Sequence, residues 1–172
     1  MDYKTPTISK TVMTEMVMPN DTNPLHNLMG GNLMRWMDVA GGICARRHAE
    51  RVCVTASVDT VSFKSPIKLG EIVTIIAKVT RVFTTSLEIH IEVFAEGVAS
   101  NGRRKSNEAY FTFVSVDEYG NKLKVPQLAT ETPEEEAQYE SAMRRREMRL
   151  ILAKRMKPEQ STALKALFLG KE

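Results

Sequence analysis

The sequence predicts an α+β fold in which one early helix meets a single layer of about five antiparallel strands. Two observations carry that reading. In the first two thirds of the chain, a three- and four-residue apolar period runs only from Asn32 to about His48. From Arg51 to Val116 the apolar runs instead alternate or are β-branched, and turn residues rather than helical stretches separate them, which argues against βαβ units.

The elements follow in order. Residues 1–9 read as a flexible lead, and Lys10–Met18 as a first strand. Pro19-Asn20-Asp21-Thr22-Asn23-Pro24 is a dense turn cluster, and the loop continues through His26 and Asn27 to Gly30-Gly31. Asn32 then offers a cap for a helix on which Leu33, Met34, Met37, Ala40 and Cys44 recur, with Arg46, Arg47 and His48 near its C-terminal end, where positive charge is favoured. Gly41 and Gly42 each cost about 1 kcal/mol in a helix interior, so they imply another backbone or sheet passing very close. Asp38 stands in apolar company on this helix, which predicts a partly buried carboxylate with a raised pKa.

Val52–Val58 alternates and Val61–Phe63 follows it. Glu71–Phe83 and Ser86–Ala95 are long β-branched runs joined at Thr84-Thr85, the spacing of a hairpin. Gly97–Gly102 is a loop and Arg103–Asp117 the last long strand. Thr132-Pro133-Glu134-Glu135 is a capping box with proline at the first helical position, and acids at the start with arginines later predict a surface helix to about Met156. Pro158 stops it, and another short helix is expected over Ser161–Leu169. The basic run of the long helix, Arg144 to Arg155, resembles an RNA-binding stripe less than a solvated face, because Glu140, Glu147 and several apolar residues interrupt it. The organisation is thus a lead over 1–9, a domain over 10–126 and a charged helical extension over 127–172.

Composition narrows the function classes. With 172 residues, 42% hydrophobic, 26% charged and a net charge of +3, the chain suits one globular domain and carries no field that calls for nucleic acid. No apolar stretch approaches a membrane span, and the acid at Asp2 with no apolar run argues against a secretory signal. Cys44 and Cys53 lack metal-ligand spacing and read as free thiols, which points to the cytoplasm. His26, His48 and His90 are dispersed, so no metal is expected, and the phosphate-loop, dinucleotide and serine-hydrolase motifs are missing.

What remains is the segment from Asn27 to Asp38. Unpaired N–H groups at a helix start, approached over glycine, can receive a carbonyl oxygen that gains negative charge. Asp38 could serve as general base or nucleophile, and the Asn27 amide could polarise a carbonyl or hold a water. Those parts fit hydrolysis of an activated ester, against the plainer reading of Asp38 as a solvated helix acid.

Asn27-Leu28-Met29-Gly30-Gly31-Asn32-Leu33-Met34-Arg35-Trp36-Met37-Asp38, followed by Ala40-Gly41-Gly42, resembles the signature of the hot-dog-fold acyl-CoA thioesterases. The similarity is greatest to the branch with the bacterial YciA type and the mammalian brain and cytosolic acyl-CoA hydrolases. It continues through Val54–Asp59, Phe63–Glu71 and Thr84–Ile89 and fades after about Val116. The resemblance implies a long central helix wrapped by a curved antiparallel sheet. It implies Asn27 and Asp38 as the catalytic pair, Gly30 or Gly31 as the polarising amide, and no metal or redox cofactor. Coenzyme A would lie along a subunit interface, with Thr84, Thr85, Ser86, Arg103, Arg104 and Lys105 as candidate contacts. The assembly implied is a homo-oligomer, a trimer of dimers, and since Asn27 and Asp38 stand far apart along one chain, each site would take Asn27 from one subunit and Asp38 from its partner. Met29 replaces a histidine found in many relatives and would shape the acyl or pantetheine tunnel. A hydratase on the same fold would need a histidine beside the helix acid, and a non-catalytic acyl-CoA sensor would lack one of the pair; neither condition is met here.

Overall fold

The computed structural model describes residues 3–63, 65–97 and 102–161, and divides into two compact units, Met1–Ala129 and Thr130–Glu172. In the first unit the chain runs β1 (Tyr3–Lys4), α1 (Pro6–Ser9), β2 (Thr11–Met16), α2 (Gly30–Ala49), β3 (Val52–Phe63), β4 (Ile72–Val82), β5 (Ser86–Glu96), β6 (Arg104–Val116) and β7 (Gln127–Leu128). Five strands form one antiparallel sheet in the order β2-β4-β5-β6-β3, so β2 and β3 are its edges. The sheet lies against α2, the hot-dog arrangement that the resemblance implies.

Period-two alternation explains the core. β4 turns Val73, Ile75, Ala77 and Val79 inward, β5 turns Leu87, Ile89, Ile91 and Val93, and β6 turns Ala109, Phe111 and Phe113. Against them α2 buries Leu33, Met37, Ala40, Gly41, Cys44 and Ala45. Register shifts between Thr55 and Ser57, Asp59 and Ser62, Val79 and Arg81, and Val93 and Phe94 mark bulges, which bend strands and raise their twist. The two helix glycines separate in role. A Cβ on Gly41 would sit 3.0 Å from Ile91 and Phe113, whereas one on Gly42 would meet its nearest atom at 3.8 Å. Close approach of the sheet therefore accounts for Gly41 alone within the subunit.

Several expectations need correction. The lead is ordered from Tyr3: β1 pairs in parallel with β7, and Pro6 and Ser9 are buried. Ser9 Oγ lies 3.3 Å from His48 Nδ1, and His48 Nε2 donates to the Pro126 carbonyl at 3.1 Å. Since a carbonyl only accepts, the ring proton is fixed on Nε2, and burial holds the His48 pKa below its ordinary value. Lys4 Nζ donates to the Arg47 and His48 carbonyls, covering two of the orphan acceptors at the end of α2. That helix starts at Gly30 rather than Asn32, with Met29 as a cap that makes no side-chain bond. The two short runs expected over 52–63 are one bulged strand.

In the second unit, α3 spans Pro133–Leu152 and ends earlier than Met156, where Lys154 takes a left-handed φ of 55°. Thr132 Oγ1 accepts from the Glu135 N–H at 3.2 Å, and Glu135 returns the bond to the N–H of Glu131 rather than of Thr132. Glu147 on this helix bonds the hydroxyl of buried Ser161. The short helix expected from Ser161 to Leu169 lies outside the described residues beyond its first member.

Candidate active site

The turn cluster before α2 is braced rather than loose. The N–H of Met29 donates to the Asp21 carbonyl at 2.8 Å, that of Leu28 to Ile67 at 2.7 Å, and that of Asn23 to Asn27 at 2.9 Å. Asn23 Oδ1 accepts from the N–H groups of Leu25 and Asn27 at 3.0 and 3.2 Å. With its oxygen so occupied, the Asn23 side chain has its two amide protons left to offer.

Asn23, Asn27 and Gly30 line one cavity of about 450 Å³, completed mainly by Leu28, Leu33, Phe63, Ile67 and Asn107. Gly30 admits the Phe63 ring, whose Cζ would lie 3.2 Å from a Cβ at that position. Because Met29 supplies no side-chain acceptor, the first-turn N–H groups of α2 keep their donor capacity beside this cavity. Asn107, itself buried, donates to the Ser62 carbonyl at 2.7 Å and pins the strand end that carries Phe63.

Gly31 is exposed and does not line the cavity, and neither does Met29, whose expected part in shaping a tunnel finds no wall within the subunit. Nor does Asp38. Eight residues along α2 from Gly30, it stands about 12 Å further along the axis. The expectation of a partly buried carboxylate fails in the single subunit: Asp38 is exposed, and Thr55 on β3 donates its hydroxyl to Asp38 Oδ1 at 2.5 Å. Sequence reading missed both Thr55 and Asn23. Only the turn-forming character of Asp21-Thr22-Asn23 marked the latter.

The six candidate coenzyme A contacts fall into two separate groups. Ser86 and Ala95, whose strand partners are Val114 and Arg104, are nine residues apart on β5, about 30 Å. Thr84, Thr85 and Ser86 therefore sit at one end of the sheet and Arg103, Arg104 and Lys105 at the other, the cavity end. Two of those three cations are committed. Arg104 grips Glu71 with two bonds of 2.7 and 2.8 Å and the Pro66 carbonyl at 2.9 Å, and Lys105 reaches Glu92 and Glu108, each at 2.8 Å. The bond from Arg104 holds the Glu71 carboxyl below the ordinary range, against opposing burial. Arg103 instead lies over the Phe94 ring, 4.2 Å from its centroid.

His90 is a packing residue, bonded to Glu108 at 2.7 Å and stacked on Tyr110. Burial pushes the Cys44 thiol up to about 12 and that of Cys53 to about 11, so neither is poised as a nucleophile. Among the described residues no group of His, Cys, Asp and Glu is placed to hold a metal, and no helix is long and apolar enough to cross a membrane.

Residues 25–100 match the family model of the thioesterase superfamily. The chain is 38% identical over 137 residues to YkhA of Bacillus subtilis, named as an uncharacterized acyl-CoA thioester hydrolase, covering 80% of each protein. It is 37% identical over 155 residues to mouse acyl-coenzyme A thioesterase 11, but those residues are 90% of this chain and 26% of the mouse protein. A Staphylococcus aureus acyl-CoA hydrolase, solved with butyryl coenzyme A and coenzyme A, superposes with a TM-score of 0.81 at 35% identity over 88% of this chain and 94% of that one. A hexameric acyl-CoA thioesterase gives 0.85 at 34% identity over 89% and 98%. Variants of the Staphylococcus protein have been solved with alanine in place of one asparagine, one aspartate and one threonine; the asparagine precedes the aspartate by fifteen positions and the threonine follows it by seventeen.

Proposed function

This chain belongs to the thioesterase superfamily, among its acyl-CoA thioester hydrolases, and from that premise we propose that it splits acyl-CoA at a site shared by two subunits. The observation that carries the proposal is the separation of the machinery within one subunit. A cavity with amide donors lies at the Phe63 end of β3, and a carboxylate held by Thr55 lies outside it.

A second copy removes the separation. Edge strand β3 exposes Val52, Val54, Val58 and Phe63, and α2 exposes Val39 and Ile43 beside it. An open apolar edge of this kind invites pairing. Antiparallel pairing of two β3 edges about a two-fold axis near Asp59 would set Thr55 of one subunit opposite Phe63 of the other. Asp38 would then face its partner's cavity, and the hairpin at Thr84–Ser86 would approach its partner's Arg103. Both groups of coenzyme A contacts thereby serve one ligand. Further association of such dimers, as a trimer of dimers, accords with the hexameric relative.

In the reaction, the thioester carbonyl oxygen accepts from the first-turn N–H of Gly30, the helix glycine that lines the cavity, and from an asparagine amide, which stabilise the charge it gains. Asp38 takes a proton from the attacking water and passes it to the departing thiolate, or attacks the carbonyl carbon itself to form a mixed anhydride that water then hydrolyses; in either case the C–S bond breaks, and free acid and coenzyme A depart. For the amide we favour Asn23 over Asn27, with Asn27 shaping the turn. Asn23, Asp38 and Thr55 reproduce both spacings of the three residues replaced in the Staphylococcus enzyme, whereas Asn27 precedes Asp38 by eleven. No metal or redox cofactor enters, so chelation leaves turnover unchanged. The free thiols of Cys44 and Cys53 suit a reducing cytoplasm.

The test is thiol release from a series of acyl-CoA esters. Asn23→Asp keeps the oxygen that accepts from Leu25 and Asn27 but loses the donor, and should cost about 10² in rate, as should Asp38→Asn. Asn27→Ala should cost far less; the reverse order would return the role to Asn27. Refolding Asn23→Ala with Asp38→Ala pairs subunits at random, and each heterodimer has one intact site, so activity should recover to roughly a quarter of wild type. Heterodimers without activity would place both residues in a site within one chain.

A further inference from the structure

Helix α3 has an exposed stripe that the reaction does not use. At steps of three and four it presents Pro133, Ala137, Glu140, Arg144, Met148 and Leu152, with Leu152 77% and Met148 41% exposed. Glu140 and Arg144 have no ion-pair partner among the described residues, although one helical turn separates them. The stripe is also complementary to itself when turned end for end. Glu140 then faces Arg144, small Ala137 faces large Met148, and Pro133 faces Leu152.

We propose that α3 packs antiparallel against α3 of a second copy of this chain, across a two-fold axis near Ala142. Charge complementarity chooses this occupant. The exposed acids of the helix, Glu134, Glu136 and Glu140, lie in its first half, and Arg144, Arg145, Arg146 and Arg149 in its second, where the one acid, Glu147, is buried. An antiparallel pair sets each half against its opposite and aligns the two helix dipoles favourably, whereas a parallel pair sets like against like. Each Glu140–Arg144 contact occurs twice, as in every isologous interface. The residues of this contact are other than those of the β3 edge.

Cross-linking of the full-length chain tests the geometry. In an Ala137→Cys, Met148→Cys double variant the two new thiols lie about 16 Å apart along one helix, too far to join each other. Mild oxidation should therefore give an intersubunit disulfide between positions 137 and 148, identified by peptide mass, while either single variant gives none. Adding Glu140→Arg or Arg144→Glu should slow its formation about tenfold, and both together should restore it. Circular dichroism reports that each variant is folded. Absence of the cross-link in the folded double variant overturns the proposal. So does self-linking of Ala137→Cys alone, which requires a parallel pair. Binding of phosphatidylserine vesicles that Arg144→Glu abolishes, with no cross-link, would assign the basic half to a membrane instead.

Discussion

Replacing Gly41 and Gly42 separately by alanine should move stability in opposite directions, although the residues are neighbours on one helix. Either change removes the backbone freedom of glycine and gains about 1 kcal/mol of helix propensity. At Gly42 the new methyl meets its nearest atom, Phe113 Cε1, at 3.8 Å, an ordinary contact, so the gain should survive. At Gly41 the methyl arrives 3.0 Å from Ile91 Cδ1 and from two atoms of the Phe113 ring, inside the optimal range of about 3.5–4.0 Å. Both side chains are fully buried, so they cannot retreat freely, and overpacking of that kind costs about 1–3 kcal/mol. The net is a loss of about 1 kcal/mol for Gly41→Ala and a gain of similar size for Gly42→Ala. For a chain of this length each kcal/mol moves the melting temperature by about 2–4 °C, so the variants should differ by about 4–8 °C. Thermal melts followed by circular dichroism at matched concentration measure this. Gly41→Ala melting at or above Gly42→Ala would refute the claim that the sheet touches the helix at Gly41.

Thr55→Val keeps the shape of that residue but removes the hydroxyl that holds Asp38, so turnover should fall by about 10–100-fold, the scale of one bond to a charged group, with folding intact by circular dichroism. Glu71→Gln should destabilise at pH 7, where wild type holds the charged pair with Arg104. Because the Glu71 pKa is depressed on folding, its contribution is complete above the unfolded carboxyl value of about 4.3 and fades as pH falls below it. Urea midpoints of wild type and variant should therefore converge in acid, and a gap that widens there would contradict the assignment. A chain ended at Ala129 should fold and retain thiol release, since every residue placed in the reaction lies upstream; a folded but inactive product would mean that the second unit completes the site.

Periodicity made the central helix and the strands legible because each buries one face, and apolar spacing reports burial directly. Length was misjudged where the cause was not periodic. Gly30-Gly31 reads as a loop, yet bonds from the Met29 and Leu28 N–H groups fix the helix start. Tyr3–Ser9 reads as a free lead because its anchors, His48 and Gln127, are distant in sequence. At the site, the motif drew attention to Asn27, although Asn23 shares the same cavity and its oxygen orders the turn. Thr55 carried no signal, since a threonine in a strand is ordinary until the fold brings Asp38 beside it. The charges of Arg104 and Lys105 looked available for phosphates only because Glu71 precedes β4, Glu92 lies on β5 and Glu108 stands a bulge away on β6.

The short parallel pairing of β1 with β7 has a modular consequence. It sets Tyr3 beside Gln127, one strand spacing of about 4.8 Å apart, so the chain enters and leaves the first unit at nearly the same point. A unit with adjacent ends can be spliced into a surface loop of an unrelated protein, or placed between other domains, without stretching its host. That property lets a fold of this size travel as a cassette.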